Sequence, residues 1–354
     1  MNVSQFKKLV SMAEPFLMQS DFIPILQHIW IHPHYIIAFN DIQAIQLEYK
    51  STLHCAVPGK ILVKLLGTIN QEDINIEQVQ DKLLIGSGKN QTKLPILPPE
   101  EFVFAFPDPV GIEVTLEPTT TEGMEKCLLT VSHDPTRPER NGITFKVTND
   151  SLTMFVTDGK TISRFVTEGK FRVAATEEMW VILPTFFCDQ LCKMIKEQKI
   201  AATLYFTEGS VIATIGNNKM FSRLINAKPP QYENAIAQSV PDLDKIQLVD
   251  TPDSLIPALE RAMLMIYPEK GINSTSITLE QSGQLTLHTE SDRGRAHDSI
   301  DTDIKGNSDI EMVVEPSLLQ RAVNSCSQVT IRKNAWVFTT KDRSFAHLIS
   351  IKAA

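Results

Sequence analysis

LPTFFCDQLCKMI (183–195), followed by ATLYFTEGSVIATIGNNKMFSRLINAKPPQY (202–232), is the stretch whose reading decides the fold. Its proline stands where a helix begins, a position at which the missing N–H costs nothing and φ is already helical. Phe187, Leu191 and Ile195 then recur on one helical face, which predicts an amphipathic helix. Behind it Val211, Ala213 and Ile215 alternate at the period of a half-buried strand, and the polar turn GNNK separates two such strands. The same order occurs twice more. VPGKILVKLLGTI (57–69) leads into INIEQVQDKLLIGSGKNQTKLPILPPEEF (74–102), and VEPSLLQRAVNSC (314–326) leads into VTIRKNAWVFTTKDRSFAHLISI (329–351). Leu62, Leu65 and Leu66 form the stripe of the first, and Leu318, Leu319, Ala322 and Val323 that of the last. Pro58, Pro184 and Pro316 stand 126 and 132 residues apart, the spacing of a threefold internal repeat.

A second helix opens each copy: QFKKLVSMAEPFL (5–17), EGMEKCLLTVSHD (122–134) and SLIPALERAMLMI (254–266). The middle one is the weakest, because Thr130, Val131 and Ser132 are poor helix formers. Strands follow in HYIIAFNDIQAIQLEY (34–49), NGITFKVTNDSLTMFVTDGKTISRFV (141–166) and TSITLEQSGQLTLHTESDRGRAHDSI (275–300). The unit is thus helix, antiparallel strands, helix, antiparallel strands. Its helices must cover one face of the sheets, which makes an α+β domain. FPDPVG and SVPDLDK interrupt the periodicity near 109 and 241, so three domains are expected at 1–109, 110–241 and 242–354.

The 354 residues carry a formal charge of −8. Residues 1–108 hold 8 Lys+Arg against 11 Asp+Glu, 109–241 hold 14 against 15, and 242–354 hold 12 against 16. No third is a basic DNA-gripping module, so any nucleic-acid contact must come from basic residues gathered on one face. The start of the chain reads as an amphipathic helix rather than a signal peptide, and no apolar run is long enough to span a membrane. Five cysteines, Cys55, Cys127, Cys188, Cys192 and Cys326, are an odd number that points to reduced thiols and the cytoplasm. Cys188 and Cys192 share a helical face without a partner pair at metal-ligand spacing, so apolar packing is expected there and neither metal nor cofactor.

Short motifs, in order, carry a family resemblance. FSRLINAKPPQY (221–232) resembles the SRLI…FPDY signature of the bacterial DNA polymerase III beta subunit family, the sliding clamps, and FVTDGKTISR (155–164) resembles that family's ATDGHRLA segment. Asn141-Gly142, LERAMLMI (259–266), ILPPEEF (96–102) and Pro24-Ile25-Leu26 also fit in order. The resemblance implies a homodimeric six-domain ring, three domains from each subunit, with sheets outside and two helices per domain lining a channel for duplex DNA. Hold on DNA is then topological, without base readout; dense phosphate contacts would only add counterion-release affinity and drag.

The resemblance also implies three sets of residues. Lys7, Lys8, Lys60, Lys64, Lys126, Lys193, Lys196, Lys199 and Arg321 are the expected DNA-facing cations. Leu94, Leu264 and Met265 are expected at the seam between subunits. A cleft for short linear motifs of the polymerase and the clamp loader would be walled by Thr157, Gly159, Lys160, Thr161, Ile162, Pro230, Asn234 and Ala235. The C-terminal strand would add His347, Ile349, Ser350, Ile351 and Lys352. An extended peptide with apolar anchors suits such a groove.

Several positions depart from the family pattern. Lys160-Thr161-Ile162 replaces the usual His-Arg-Leu, Ile349-Ser350-Ile351-Lys352 the usual Met-Pro-Met-Arg ending, and Pro229-Pro230-Gln231-Tyr232 the FPDY. The first domain lacks arginine and has Ser20 at an often basic position. These changes suit a divergent clamp of phage, plasmid or mobile-element origin. An enzyme is the competing class, but Asp158 in TDGK reads as a turn holder. IGSGKNQ (85–91) lacks Walker spacing and joins two expected strands, whereas a phosphate loop enters a helix. A clamp-like scaffold that has lost polymerase processivity is the remaining alternative, since the cleft has changed most.

Overall fold

The computed structural model describes residues 3–20, 23–70, 74–87, 90–102, 104–169, 171, 178–241, 243–267, 274–304, 309–332, 335–350 and 352–353. The strands in the first part of the chain are β1 His28–Ile31, β2 Tyr35–Phe39, β3 Gln43–Glu48, β4 Cys55–Pro58, β5 Asn75–Val79, β6 Lys82–Ser87 and β7 Asn90–Pro95. The middle holds β8 Ile112–Leu116, β9 Gly142–Val147, β10 Ser151–Thr157, β11 Thr161–Glu168, β12 Met179–Pro184, β13 Ala202–Phe206, β14 Ser210–Ile215 and β15 Asn218–Arg223. The last part holds β16 Val249–Asp250, β17 Thr275–Leu279, β18 Gln284–Ser291, β19 Gly294–Asp301 and β20 Ile310–Val314. It ends with β21 Gln328–Arg332, β22 Ala335–Thr339, β23 Phe345–Ser350 and β24 Lys352–Ala353.

The helices are α1 Val3–Ala13, α2 Gly59–Thr68, α3 Thr120–Leu128, α4 Thr185–Gln198, α5 Tyr232–Ser239, α6 Leu255–Met265 and α7 Pro316–Ser325. The Pro-led stripes are buried much as their period requires: Leu62 and Leu66 in α2 with Leu65 half-buried, Phe187, Leu191 and Ile195 in α4, and Leu318, Leu319, Ala322 and Val323 in α7. Gly59 is where α2 meets the core, since a Cβ there would enter the side chains of Leu17 and Ile29. Cys188 and Cys192 are buried on α4, and all five cysteines are free thiols inside the protein. Two helix expectations needed correction. α3 stops at Leu128, so Thr130–Ser132 lie outside it and Thr130 Oγ1 is free to bond across to Ser163. α5, Tyr232–Ser239, was not expected: it follows Pro229-Pro230 in a stretch to which the sequence assigned no element, ahead of the boundary expected near 241.

The chain divides into two compact units, each assembled from separated segments: residues 1–118 with 190–224, and 119–189 with 225–354. The first contains an eight-stranded antiparallel sheet in the order β4-β1-β2-β3-β15-β14-β13-β8, and the second one ordered β12-β9-β10-β11-β23-β22-β21-β16. The two plans are the same. Each takes four strands from one expected domain and four from the next, joined at β3–β15 in one and β11–β23 in the other. In the first unit α1 and α2 pack together on the sheet, and β5-β6-β7 form a small sheet, so IGSGKNQ does join two strands. The opposite face of the large sheet carries an aromatic cover: Phe104 stacks on Phe39 at 4.2 Å and Phe102 meets Trp30 at 5.2 Å.

In the second unit α3 packs on β9–β11 and α7 on β22 and β23, while α5 with Val240, Leu243, Ile246 and Leu248 covers the other face. Strands β19-β18-β17-β20-β24 form a five-stranded sheet against which α6 packs, with α7 beside α6. Among the described residues no helix is long and apolar enough to cross a membrane.

Candidate partner cleft and cationic helix faces

The TDGKT hairpin (157–161) joins β10 to β11. Asp158 Oδ1 accepts from the backbone N–H of Lys160 at 2.9 Å, the N–H of Thr161 at 2.7 Å and the Thr161 hydroxyl at 3.0 Å. Thr157 Oγ1 accepts from Gly159 N–H and donates to the Thr161 carbonyl at 2.6 Å. Gly159 has φ +92°, a backbone conformation that residues with a Cβ rarely adopt. Asp158 therefore holds a turn, and its second oxygen faces Arg321 Nη2 at 3.4 Å.

Strand register decides what the next residues do. Ile162 pairs with Leu348, which pairs with Val337, while Ser163 pairs with His347 and Thr161 with Ile349. Directly opposed residues share a sheet face, and neighbours along a strand alternate. Ile162, Leu348, Val337, Ala346 and Phe155 thus lie on the face that meets Tyr232 and Ile236 of α5. On this face Phe155 is stacked between Trp180 (5.8 Å) and Tyr232 (5.1 Å). Beside the stack a cavity of about 410 Å³ is lined by Trp180, Pro229, Pro230, Tyr232 and Asn234, among others. Lys146 Nζ lies 5.2 Å from the Trp180 ring centre and bonds Glu233 at 2.6 Å and Glu178 at 2.9 Å.

Of the expected cleft residues, the structure brings Ile162, Pro230, Asn234 and the half-buried Ala235 to this side, with Thr157, Gly159, Lys160 and Thr161 in the hairpin at its end. It does not bring His347 or Ile349 there. Both point to the opposite face and are buried, His347 Nδ1 lying 2.8 Å from Ser163 Oγ, which in turn is 2.7 Å from Thr130 Oγ1. Ser350 shares the parity of Leu348 and is exposed. Ile351 lies outside the described residues. Lys352 has left this sheet, its backbone pairing with Val313 through β24–β20. Leu348, Phe155, Tyr232 and Trp180 were missed. Alternation in FAHLIS was the available signal, but alternation alone leaves two choices of face, and a one-residue shift exchanges them.

Buried His347 has its pKa pushed down to about 4, by burial first and then by the Arg321 charge, against the pull of Asp158. Its Nε2 has no hydrogen-bond partner, so a charged ring would carry a donor with no acceptor. Glu315, just before α7, bonds Lys160 Nζ at 2.8 Å and Ser317 Oγ at 2.8 Å. Burial opposes its ionisation, yet these two bonds hold its carboxyl below the usual range.

The helices hold a modest excess of basic residues, set by α1 and α2, which have four Lys and no Asp or Glu. α1, α2, α3, α4, α6 and α7 together hold nine Lys and Arg against five Asp and Glu, in a chain whose overall charge is −8. Lys8, Lys64, Lys193 and Lys196 are exposed on them and Lys7 and Lys60 half-buried. Lys199 is exposed just past α4, where its N–H closes the helix on Ile195. Lys8 pairs with Glu197, and Lys126 pairs with Glu122 at 2.8 Å above the Phe345 ring. Arg321 is committed inside its unit, to Asp158 and to the Leu129 carbonyl at 2.6 Å. Of the expected seam residues, Leu94 is buried within its own unit, Met265 is half-buried, and Leu264 is 67% exposed on α6. Among the described residues no group of His, Cys, Asp and Glu is placed to hold a metal ion.

Residues 118–231 match the family model described as DNA polymerase III beta subunit, central domain. The "Beta sliding clamp" of Halalkalibacterium halodurans is 22% identical over 231 residues, covering 62% of this chain and 57% of that relative, less than two thirds of its length. The "Beta sliding clamp" of Chlamydia trachomatis is 18% identical over 294 residues, 80% of this chain and 68% of the relative. The DNA polymerase III beta subunit of Thermotoga maritima superposes with a TM-score of 0.85 at 16% identity, covering 100% of this chain and 98% of that one. The sliding clamp of Bartonella birtlesii, solved bound to griselimycin, gives 0.86 at 19% identity and covers 100% and 99%. Both structural likenesses span the whole chain, whereas the family model matches its middle third.

Proposed function

We propose, from the premise that this chain is a divergent member of the bacterial beta sliding clamp family, that it is a non-catalytic clamp which closes around duplex DNA as a head-to-tail homodimer and tethers a replicative polymerase. The observation that carries the reading is the distribution of charge: α1 and α2 hold four Lys and no Asp or Glu in a chain of net −8, and α4 adds the exposed Lys193 and Lys196. A closed ring needs few phosphate contacts, because sideways escape is blocked whatever each contact contributes. The three domains would run 1–109, 110–241 and 242–354, their sheets continuing across the boundaries and their helices facing the DNA. Lys7, Lys8, Lys60, Lys64, Lys193, Lys196 and Lys199 are the cations offered to phosphates, with Lys126 beside them. Leu264 and Met265 of α6 would meet the partner subunit's first domain.

The groove between α5 and the hairpin at 157–161 is read as the docking site for linear motifs of the polymerase and the clamp loader. Its apolar lining of Trp180, Pro229, Pro230 and Tyr232, with half-buried Ile162 over the core beside it, suits an extended segment with apolar anchors. Such a protein works in the cytoplasm, on the nucleoid during replication, and performs no chemical step. The deciding experiment loads the protein onto nicked circular DNA with its loader, linearises the DNA, and follows retention alongside processive synthesis by the cognate polymerase. Retention on circles, loss from linear ends and longer products are expected. An open monomer that is never retained would end the reading. Fluorescent peptides tiled across the polymerase test the groove separately, with Ile162→Asp as the variant that abolishes binding.

A further inference from the structure

Arg321 was expected among the phosphate contacts, and its surroundings assign it another task. Three elements of one unit meet at its guanidinium. Nη1 donates to the carbonyl of Leu129, the residue that caps the C-terminus of α3, at 2.6 Å. Nη2 faces Asp158 Oδ2 at 3.4 Å, while Oδ1 of the same carboxylate is occupied by the hairpin's own N–H groups. A second ion pair of opposite polarity joins the same places: Lys160 of the hairpin to Glu315 at the start of α7, 2.8 Å. The hairpin is held from the strand side too, Ser350 N–H donating to the Lys160 carbonyl at 3.1 Å.

We infer that Arg321 is a positioning residue of the partner cleft, fixing the 158–161 hairpin from which Ile162 enters the groove. The inference rests on the reading of that groove as a peptide site. A guanidinium suits the task because its planar fork reaches a carbonyl and a carboxylate together, which a lysine ammonium on one stem does less well. The carboxylate's two oxygens are divided between shaping the hairpin and tying it to α7. Removing the tie leaves Glu315 and the Ser350 N–H as the hairpin's remaining anchors, and the Asp158 carboxylate, no longer held by the guanidinium, releases the N–H groups of Lys160 and Thr161 more often.

The test compares the full-length protein with Arg321→Gln, Asp158→Asn and the double variant. Asparagine keeps an acceptor for the hairpin's N–H groups and removes the charge that Arg321 meets. Calorimetry with the tightest peptide from the tiled polymerase set should show about five- to tenfold weaker binding for each single variant, with the double variant no weaker than the worse single one. Hydrogen exchange should accelerate at the amides of Lys160 and Thr161 in Arg321→Gln while β21 and β22 keep their protection, a pattern that general destabilisation would not give. The salt dependence of DNA binding should be unchanged. A slope smaller by about one contact, with hairpin exchange and peptide affinity as in the unaltered protein, would make Arg321 a phosphate contact and overturn the inference. Should no peptide bind the unaltered protein, the groove reading fails by itself, and exchange at the hairpin still decides whether Arg321 holds it.

Discussion

Replacing His347 by glutamine should flatten a pH dependence of stability that the buried imidazole creates. The ring is enclosed between β11 and β22, with Ser163 and Thr130 at one nitrogen, nothing at the other, and Arg321 and Asp158 the nearest charges. In the folded protein its pKa is pushed down to about 4 from an ordinary 6.5. As pH falls through 6.5 the unfolded chain takes up a proton that the folded chain refuses, so stability falls. Near 4 the folded ring begins to accept the proton, and this loss levels off. From about pH 7.5 to about pH 4.5 the linkage amounts to about 2.5 kcal/mol. Urea titrations of both proteins across that window measure it. Carboxylates held below their usual range, such as Asp342, lose their contribution in both proteins and cancel in the difference. Parallel curves would refute the reasoning, because they would mean that the ring is charged or solvated in the fold. A fall in the original protein steeper by about 2 kcal/mol would support it and, with it, the inward-facing register of β23.

Four further outcomes rest on where side chains are placed. Leu264→Asp, at a residue 67% exposed in the single chain, should leave unfolding midpoints unchanged and shift sedimentation towards monomer. Leu94→Asp should instead unfold the first unit, because that side chain is already buried there. Gly123→Ala would build a methyl into the Phe165 ring, so its urea midpoint should drop by the equivalent of about 1–3 kcal/mol. The five cysteines should resist a thiol reagent until denaturant is added; burial pushes Cys55 up to about 11 and Cys326 up to about 12, and rapid reaction of either under native conditions would contradict this.

Much was legible in the sequence alone. The Pro-led helices, their buried stripes and the hairpins behind them depend on periods of 3.6 and 2 within a few residues, which local composition specifies. Asp158 as a turn holder follows equally from Thr157-Asp158-Gly159, whose bonding is local. The end of α3 was weakly signalled by Thr130–Ser132, and α5 was hidden because YENAIAQS is short and lies between two prolines and the boundary expected near 241. What remained undecided was long-range. Whether Leu348 or Ile349 faces α5 is set by pairing with β11, some 185 residues earlier in the chain, and no local pattern fixes the parity of that pairing. The fate of Arg321 is of the same kind: on α7 it is one more helical cation, and only folding brings it beside Leu129 and Asp158. Leu94 and Leu264 are likewise similar apolar residues until the packing of each unit buries one and leaves the other in water. Periodicity determined the elements; cross-strand register and packing between distant segments decided which side chains each surface presents.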